Sequence, residues 1–431
     1  MRSERLPRRR LPVTATGAWL CGAIVSVAGC GDNAEPLPSQ SLVTDSAGAA
    51  IVTSPPSDNA YATIAPEPIL SIGAVEGPDE LLFGRIVSVA LDGAGNFIVA
   101  DRQSGDIRIF DAAGIHLRTL GGPGEGPGEF QALVGAWPTG EGDIVAVDRQ
   151  LDRITRFGPE GELLATATLK GPGEQPLIRP IRLAGPGALL SRVQSLNVST
   201  VQLQGAFSVE EALEGLSNPL GNRPEYLVRH NLAGTLIDTV ATVPGQATQT
   251  SAQGGGTNMS IMIMSVPFSP APAASASPAG RVAVTGGRSY EFSLHGPAGD
   301  LERIVRLAEE PPVRTDAHLE AWVRGSTGGR ESPDNAEVQA AMRRYKEMPM
   351  PERLPAWTSL IIADGGEIWA RRFALRGAAT VLRDVFGADG RFLGQVAVPA
   401  NLYIQHIGEG RMTVVSTDDL GVQRVQVYEL R

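Results

Sequence analysis

Short apolar strands, separated by turns that contain glycine, repeat along the chain. Between Gly84 and Phe130, alternating apolar and polar residues predict four strands joined by tight turns. The pattern returns 47 residues further along, as the spacing from Gly95 to Gly142 shows. The matching pairs include Asp101 and Asp148, Arg102 and Arg149, Ile107 and Ile154, and Phe110 and Phe157. A period of this size with four short strands per unit is typical of the blades of a β-propeller.

A glycine that precedes an apolar strand marks the first turn of each predicted blade. Glycine suits such a turn because it adopts positive φ without steric cost. The pattern occurs at Gly95, Gly142, Gly187, Gly280, Gly366 and Gly410. The sequence therefore predicts six blades.

The last predicted blade lacks its fourth strand, because the chain stops at Arg431 directly after the strand at 422–430. A sheet left open there would expose an unpaired edge. A spare strand lies near the other end, at 68–73, and the residues after it match those that follow the fourth strand of blade one. We therefore predict an all-β, six-bladed β-propeller over 61–431, closed by this N-terminal strand.

Four regions depart from the blade pattern. Residues 30–60 are polar and predict a tether that contains a short hairpin. Residues 195–226 and 244–279 are rich in Ser, Gly, Pro and Ala, and they predict long loops. Residues 311–353 show helical periodicity and predict a small α-helical insertion between blades four and five. Two roles remain open for this insertion, a buttress on one face of the disc or a lid over it.

The N-terminal residues indicate export. Five arginines precede an apolar run at 18–28, which is too short for a comfortable membrane span and predicts a signal peptide at 1–29. Residues 27–30 resemble the lipobox of bacterial lipoproteins, which implies that Cys30 is lipidated and anchors the chain at the cell envelope. Gly31 follows the cysteine, and in that family this choice favours the outer membrane over the inner one.

Charge and cysteine content limit the partners. The formal net charge is −10, and because residues 1–29 carry five Arg against one Glu, the remainder carries −14. Because the remainder of the chain is this acidic, we predict that it does not bind nucleic acid and that it contacts a membrane only through the lipid. Cys21 is predicted to leave with the signal peptide and Cys30 to carry lipid, so the mature chain is predicted to contain no disulfide and no cysteine-based site.

The first two predicted blades resemble a known repeat. Residues 98–101 and 107–111, with Gly114 and the segment 126–130, resemble the NHL repeat of six-bladed propellers from bacterial envelopes. That family places an arginine five residues after the aspartate of its motif. The resemblance therefore implies a structural pair of Asp148 with Arg153 in blade two, whereas Asp106 stands at the matching position after Asp101 in blade one.

Arginines recur where the second strand of a blade turns into the third. They are Arg102, Arg149, Arg192, Arg288, Arg371 and Arg372. In a propeller these turns emerge on one face, so the sequence predicts a face that binds carboxylates or other anions, because a guanidinium group can bind two oxygens at once. The alternative is that these arginines are solvated or structural, with Asp101 and Asp148 as neighbouring partners.

Motifs of catalysis and cofactor binding are absent from the sequence. It contains no HExxH, no phosphate-binding loop of the Walker type and no GxSxG, and its five histidines are scattered. We therefore predict a binding module for a protein, peptide or carbohydrate, without a cofactor or metal, rather than an enzyme. The alternative function is that of lactonases or lyases, similar propellers that hold a metal with carboxylates in the central channel.

Overall fold

The computed structural model describes residues 40–46, 48–171, 176–195, 221, 223–253, 260–326 and 335–431. The predicted signal peptide at 1–29 and the predicted lipidation site at Cys30 lie outside these residues. Among the described residues, no helix has the length and apolar character needed to cross a membrane.

Six four-stranded units form the ring. Three strands precede it in the chain: β1 (Leu42–Ser46), β2 (Ala49–Ser54) and β3 (Leu70–Ile72). Blade one is β4 (Ile86–Leu91), β5 (Phe97–Asp101), β6 (Asp106–Phe110) and β7 (His116–Gly121). Blade two is β8 (Leu133–Pro138), β9 (Ile144–Asp148), β10 (Arg153–Phe157) and β11 (Leu163–Thr168). Blade three is β12 (Pro176–Leu183), β13 (Ala188–Ser195), β14 (Pro224–Asn231) and β15 (Leu236–Pro244).

The second half of the ring carries the additions. A two-stranded arm, β16 (Thr248–Gln253) and β17 (Ser260–Ser265), follows blade three. Blade four is β18 (Ala273–Ala276), β19 (Val282–Thr285), β20 (Glu291–His295) and β21 (Leu301–Leu307). The helices α1 (Asp316–Ser326) and α2 (Asn335–Lys346) precede blade five, which is β22 (Trp357–Ile362), β23 (Ile368–Arg372), β24 (Thr380–Phe386) and β25 (Phe392–Pro399). Blade six is β26 (Leu402–Gly408), β27 (Arg411–Thr417) and β28 (Gln423–Glu429), completed by β3.

The ring closes as predicted. Strand β3 pairs antiparallel with β28, so that Ile72 stands opposite Val425 and Leu70 opposite Val427. Ile72 is only 2% exposed and packs in a cluster with Val415 of blade six and Phe110 of blade one. The N-terminal strand therefore supplies the missing edge of the last blade and joins it to the first.

The first strand of each blade lies closest to the propeller axis. The innermost strands of neighbouring blades contact one another, as β4 does with β8 and β18 does with β22. We call the face that carries the turns from second to third strand the crossing face, because chain crossings between blades also emerge there. The opposite face carries the turns from first to second strand, and we call it the first-turn face. In blade three this turn uses Gly185, with φ of 80°, in place of the predicted Gly187.

Two predicted irregular regions carry regular structure. The hairpin β1–β2, which the sequence placed in a tether, adds to the outer edge of blade four, where β2 runs parallel to β21 and Ile51 stands opposite Ile304. The prediction of a loop at 244–279 is wrong, because this segment contains the arm β16–β17 and β18, the innermost strand of blade four. Most of the other predicted loop, 196–220, lies outside the described residues.

The predicted helical insertion is present between blades four and five. Leu319 and Val323 of α1 pack with Met342 of α2 around Phe268, and Phe373, which follows β23, lies against this cluster. Because β23 ends on the crossing face, the insertion sits on that face at blades four and five.

Candidate functional site on the crossing face

Two buried aspartates shape the turns of blades one and two on the crossing face. Asp148 is fully buried and accepts hydrogen bonds from the backbone N–H groups of Gln131 and Ala132, both at 2.7 Å, and of Gln150 at 2.7 Å and Leu151 at 2.9 Å. These bonds tie the turn after β9 to the segment that enters β8. The turn is therefore fixed, and the arginine that follows the aspartate is held on this face.

Asp101 does the same in blade one. It accepts hydrogen bonds from the N–H groups of Gly84 at 2.7 Å, Arg85 at 2.9 Å and Gln103 at 2.8 Å, and it is fully buried. Backbone donors therefore occupy both aspartates, which leaves their carboxylates little capacity to bind the nearby arginines.

Arg153 does not pair with Asp148 as the family resemblance implied. Its guanidinium group donates to the backbone carbonyls of Glu125, at 2.9 Å, and Glu129 in the crossing between blades one and two. The reason is the saturation of Asp148 by backbone N–H groups, which satisfy its oxygens without a side-chain partner. Arg153 is therefore a structural residue of the crossing.

The arginines of blades one and two lie close together. Arg102 donates from Nε to the carbonyl of Leu133 at 2.7 Å. The Arg149 side chain is exposed and makes no hydrogen bond or ion pair with any part of the chain that the structure describes. Burial lowers the pKa of Arg102, and the nearby charges of Arg85 and Arg149 lower that pKa further, while Asp148 raises it. Positive charge is thus concentrated here beyond what the local carboxylates offset.

Blade three contributes an arginine that the sequence analysis missed. Arg179 lies on the innermost strand β12, is exposed, and stands opposite Arg192 in the register of the sheet. Burial lowers the pKa of Arg179, as do Arg192 and Arg149, while Glu225 raises it. We call Arg102, Arg149 and Arg179 the arginine cluster, and Arg85 is a further positive charge beside Arg102. The first strand of each blade begins on the crossing face, and Arg85 and Arg179 both lie near the start of a first strand. This position in the sequence could have identified them as residues of the site.

Arg192 belongs to blade three but is already paired. It lies within β13 rather than in a turn, its Nε stands 3.0 Å from the carboxylate of Glu225, and it donates to the carbonyl of Pro272 at 2.9 Å. Glu225 is only 5% exposed, so the ion pair is shielded from solvent. Arg192 therefore has less capacity for a ligand than an unpaired arginine.

The arginines predicted for blades four and five make structural contacts. Arg372 binds Asp384 at 2.9 Å and Glu309 at 2.6 Å, and its guanidinium lies over the ring of Tyr290. Burial alone would lower the pKa of Arg372, but these two carboxylates raise it above its ordinary value. Arg288 donates to the carbonyl of Gly221 at 3.0 Å. The predicted arginine face therefore does not extend evenly around the ring.

Arg371 is less fully satisfied. It donates to the hydroxyl of Thr358 at 3.0 Å, and burial lowers its pKa. The neighbouring Arg383, which the sequence analysis did not single out, is 5% exposed, and burial, with the charge of Arg371, lowers its pKa to about 9. These two residues extend the positive charge of the interior, but the exposed part of the candidate site is the arginine cluster on blades one to three.

Asp152 provides a test of the electrostatics in the turn after Asp148. Burial raises the pKa of Asp152, and Asp148 raises it further. A raised carboxyl pKa means that ionisation costs stability in the folded state as pH rises above the unfolded value of about 3.9. We expect Asp152→Asn to raise the melting temperature at neutral pH and to leave it unchanged near pH 3, because asparagine also tolerates the positive φ of 44°.

The measurement is thermal unfolding of both proteins across this pH range, with Asp419→Asn, an exposed turn variant, as the control. If Asp152→Asn had a lower melting temperature than the wild type at neutral pH, the result would contradict a raised pKa for Asp152.

The alternative of a metal-dependent propeller enzyme needs convergent ligands. Across the described ranges, no three His, Cys, Asp or Glu side chains come close enough to hold a metal ion.

A family model and several solved structures are similar to this chain. Residues 74–170 match the family model DUF5128, described as a six-bladed β-propeller. Solved structures that resemble the chain include a Bacteroides fragilis protein described as exported (11% identity, 88% of this chain, 98% of that chain, TM-score 0.47) and a DUF4221 family member from Bacteroides vulgatus (11%, 86%, 98%, 0.49). A gluconolactonase from Xanthomonas campestris is also similar (12%, 85%, 100%, 0.40). No curated protein matches the chain. The family match covers blades one and two of the sixfold ring described above.

Proposed function

We propose that this protein is an extracytoplasmic binding module, anchored to the bacterial outer membrane through lipidated Cys30. We further propose that its arginine cluster binds the carboxylate groups of an acidic protein, peptide or carbohydrate. The anchor rests on the signal-like residues 1–29 and the lipobox-like residues that end at Cys30. Incorporation of labelled palmitate into the wild type but not into Cys30→Ser checks this part.

One observation carries the proposed binding site. Arg149 lowers the pKa of both Arg102 and Arg179, so the Arg149 guanidinium group of blade two lies within electrostatic range of an arginine in blade one and of another in blade three. Asp101 and Asp148, the adjacent carboxylates, are occupied by backbone N–H groups. Several arginines without matching carboxylates favour a ligand that supplies several carboxylates itself.

The negative net charge of the chain makes binding of a polyanion a specific test of the arginine cluster. A chain that carries −14 outside residues 1–29 repels a polyanion in general, so binding of one requires a local positive surface. We expect a fluorescein-labelled oligoglutamate peptide to bind the protein and to bind less tightly as salt is added, because salt screens exposed charges.

Removal of the cluster should abolish most of this affinity. We expect R102Q/R149Q/R179Q to weaken binding roughly tenfold, since the loss of three contacts of about 0.5 kcal/mol each matches the roughly 1.4 kcal/mol of a tenfold change. Fluorescence anisotropy measures the affinity.

The matched control is R391Q/R411Q/R431Q, which removes the same charge from exposed positions at the first-turn face. Equal loss in the two triple variants would show a net-charge effect and would reject the arginine cluster as the site.

A further inference from the structure

A cavity of about 890 Å³ lies at the other end of the central channel, and it plays no part in the proposed function. All six blades contribute to its wall, so it spans the propeller axis. Its lining includes turns between first and second strands, such as Gly93 and Gly140, which places its mouth on the first-turn face. The arginine cluster is on the opposite face.

The cavity contains one arginine with few partners. Among the residues that the structure describes, Arg182 on the innermost strand of blade three makes a single long hydrogen bond of 3.4 Å, to the hydroxyl of Ser275. A guanidinium group carries five N–H donors. Burial lowers the pKa of Arg182, and Asp364 from blade five raises it. Most of its donors are thus available to a molecule in the cavity.

The nearest carboxylate has its own partner. His406 of blade six approaches both carboxylate oxygens of Asp364 through Nε2, at 3.0 and 2.9 Å. Asp364 and His406 both line the cavity. Asp364 therefore influences Arg182 through the electric field rather than through a bond, because no ion pair between the two occurs among the described residues.

The remaining wall combines apolar and polar residues. The charged residues among them are Asp92, Glu409 and Arg411. Trp137 and Leu183 line the cavity and are 7% exposed each, and Leu91 and Leu70 add aliphatic surface. Ligand cavities of this size typically combine apolar walls with a few polar groups that fix orientation. An apolar wall beside a guanidinium group suits a molecule that has both an apolar part and an anionic group.

We propose that this cavity binds a small amphipathic organic anion, whose carboxylate or other anionic group is held by Arg182 while its apolar ring or chain packs against Trp137 and Leu183. The ligand class is distinct from the acidic partner of the crossing face, because the cavity selects for an apolar body as well as for charge.

The probe for this test is 8-anilinonaphthalene-1-sulfonate, which has aromatic rings and one sulfonate and fluoresces in apolar surroundings. We expect saturable binding of one molecule per folded chain. Arg182→Gln should weaken binding about tenfold, as expected for the loss of a charge-assisted contact in a partly buried site. Asp364→Asn should strengthen it, because that variant removes a negative charge that repels the anion while preserving side-chain shape.

A second variant guards against misfolding of the Arg182 variant. Gly93 lines the mouth, and a Cβ added there meets no atom within 4 Å, so Gly93→Phe should fold and narrow the entrance. We expect weaker probe binding in this variant at an unchanged melting temperature. The triple variant R102Q/R149Q/R179Q should bind the probe as the wild type does.

Three outcomes would overturn the proposal. They are absence of saturable binding, equal affinity in the wild type and Arg182→Gln, and a loss of binding that follows the arginine cluster instead. Because oligoglutamate tests the crossing face and the sulfonate probe tests the channel, failure of one proposal is distinguishable from failure of the other.

Discussion

Replacement of Asp148 by alanine is expected to lower the free energy of unfolding by about 4 kcal/mol. The carboxylate is fully buried and accepts four backbone hydrogen bonds, which join the turn after β9 to the entrance of β8. Each buried donor left without a partner costs about 1–3 kcal/mol, and water that enters the vacated space recovers part of the sum. Denaturant unfolding of the mature chain measures the loss.

Asp111→Ala is the matched control for this prediction. Asp111 also accepts backbone hydrogen bonds, from Ala113 at 2.9 Å and Ile115 at 2.8 Å, but in an exposed turn. Solvent replaces those bonds when the side chain is removed, so we expect a loss of about 1 kcal/mol or less. Comparable losses in the two variants would contradict the structural role assigned to Asp148.

The second large effect concerns the closure of the ring. We expect Ile72→Asp to lower the free energy of unfolding by at least about 4 kcal/mol or to prevent closure of the ring. The variant places a charge in the apolar contact between blades six and one. Ile72 is 2% exposed and stands opposite Val425 in the sheet. Loss of β3 would also expose the edge of β28, which is prone to association. Thermal unfolding and light scattering measure both consequences.

Ser71→Asp introduces the same charge one residue earlier. Ser71 is exposed because side chains alternate along a strand, so we expect a change within about 0.5 kcal/mol. If the two aspartate variants unfolded at the same temperature, β3 would not be the strand that seals the ring.

The architecture was largely predictable from the sequence because its determinants are local and repeated. A glycine with positive φ at Gly95 and again at Gly142, together with period-two apolar strands, defines a blade without reference to distant residues. Closure of the ring was predictable from the number of strands, because the last blade lacked its fourth strand and one strand near the start of the chain had no partner.

Pairing between distant segments was not predictable in the same way. The alternation in β2 indicated a strand, but nothing local specifies that it runs parallel to β21, about 250 residues later. Likewise, the repeat predicted that Arg372 would be available on the crossing face. In the structure, Arg372 forms an ion pair with Glu309, which lies in the connection after blade four. Charge pairing depends on the tertiary fold, and a repeat pattern does not encode it.

The candidate sites show the same limit. The turn pattern located Arg102 and Arg149, but Arg179 lies within a strand and joins them only because the blades are adjacent in space. Arg182 of blade three and Asp364 of blade five line the same cavity, and no spacing in the sequence relates them.

The most direct test of the arginine cluster is residue-resolved protection from an arginine-specific reagent. The mature protein is treated with phenylglyoxal with and without saturating oligoglutamate, and mass spectrometry maps the modified arginines. The account predicts that the peptide protects Arg102, Arg149 and Arg179 and leaves Arg391 and Arg411 equally reactive. Unchanged modification of the first three residues in the presence of bound peptide would contradict it.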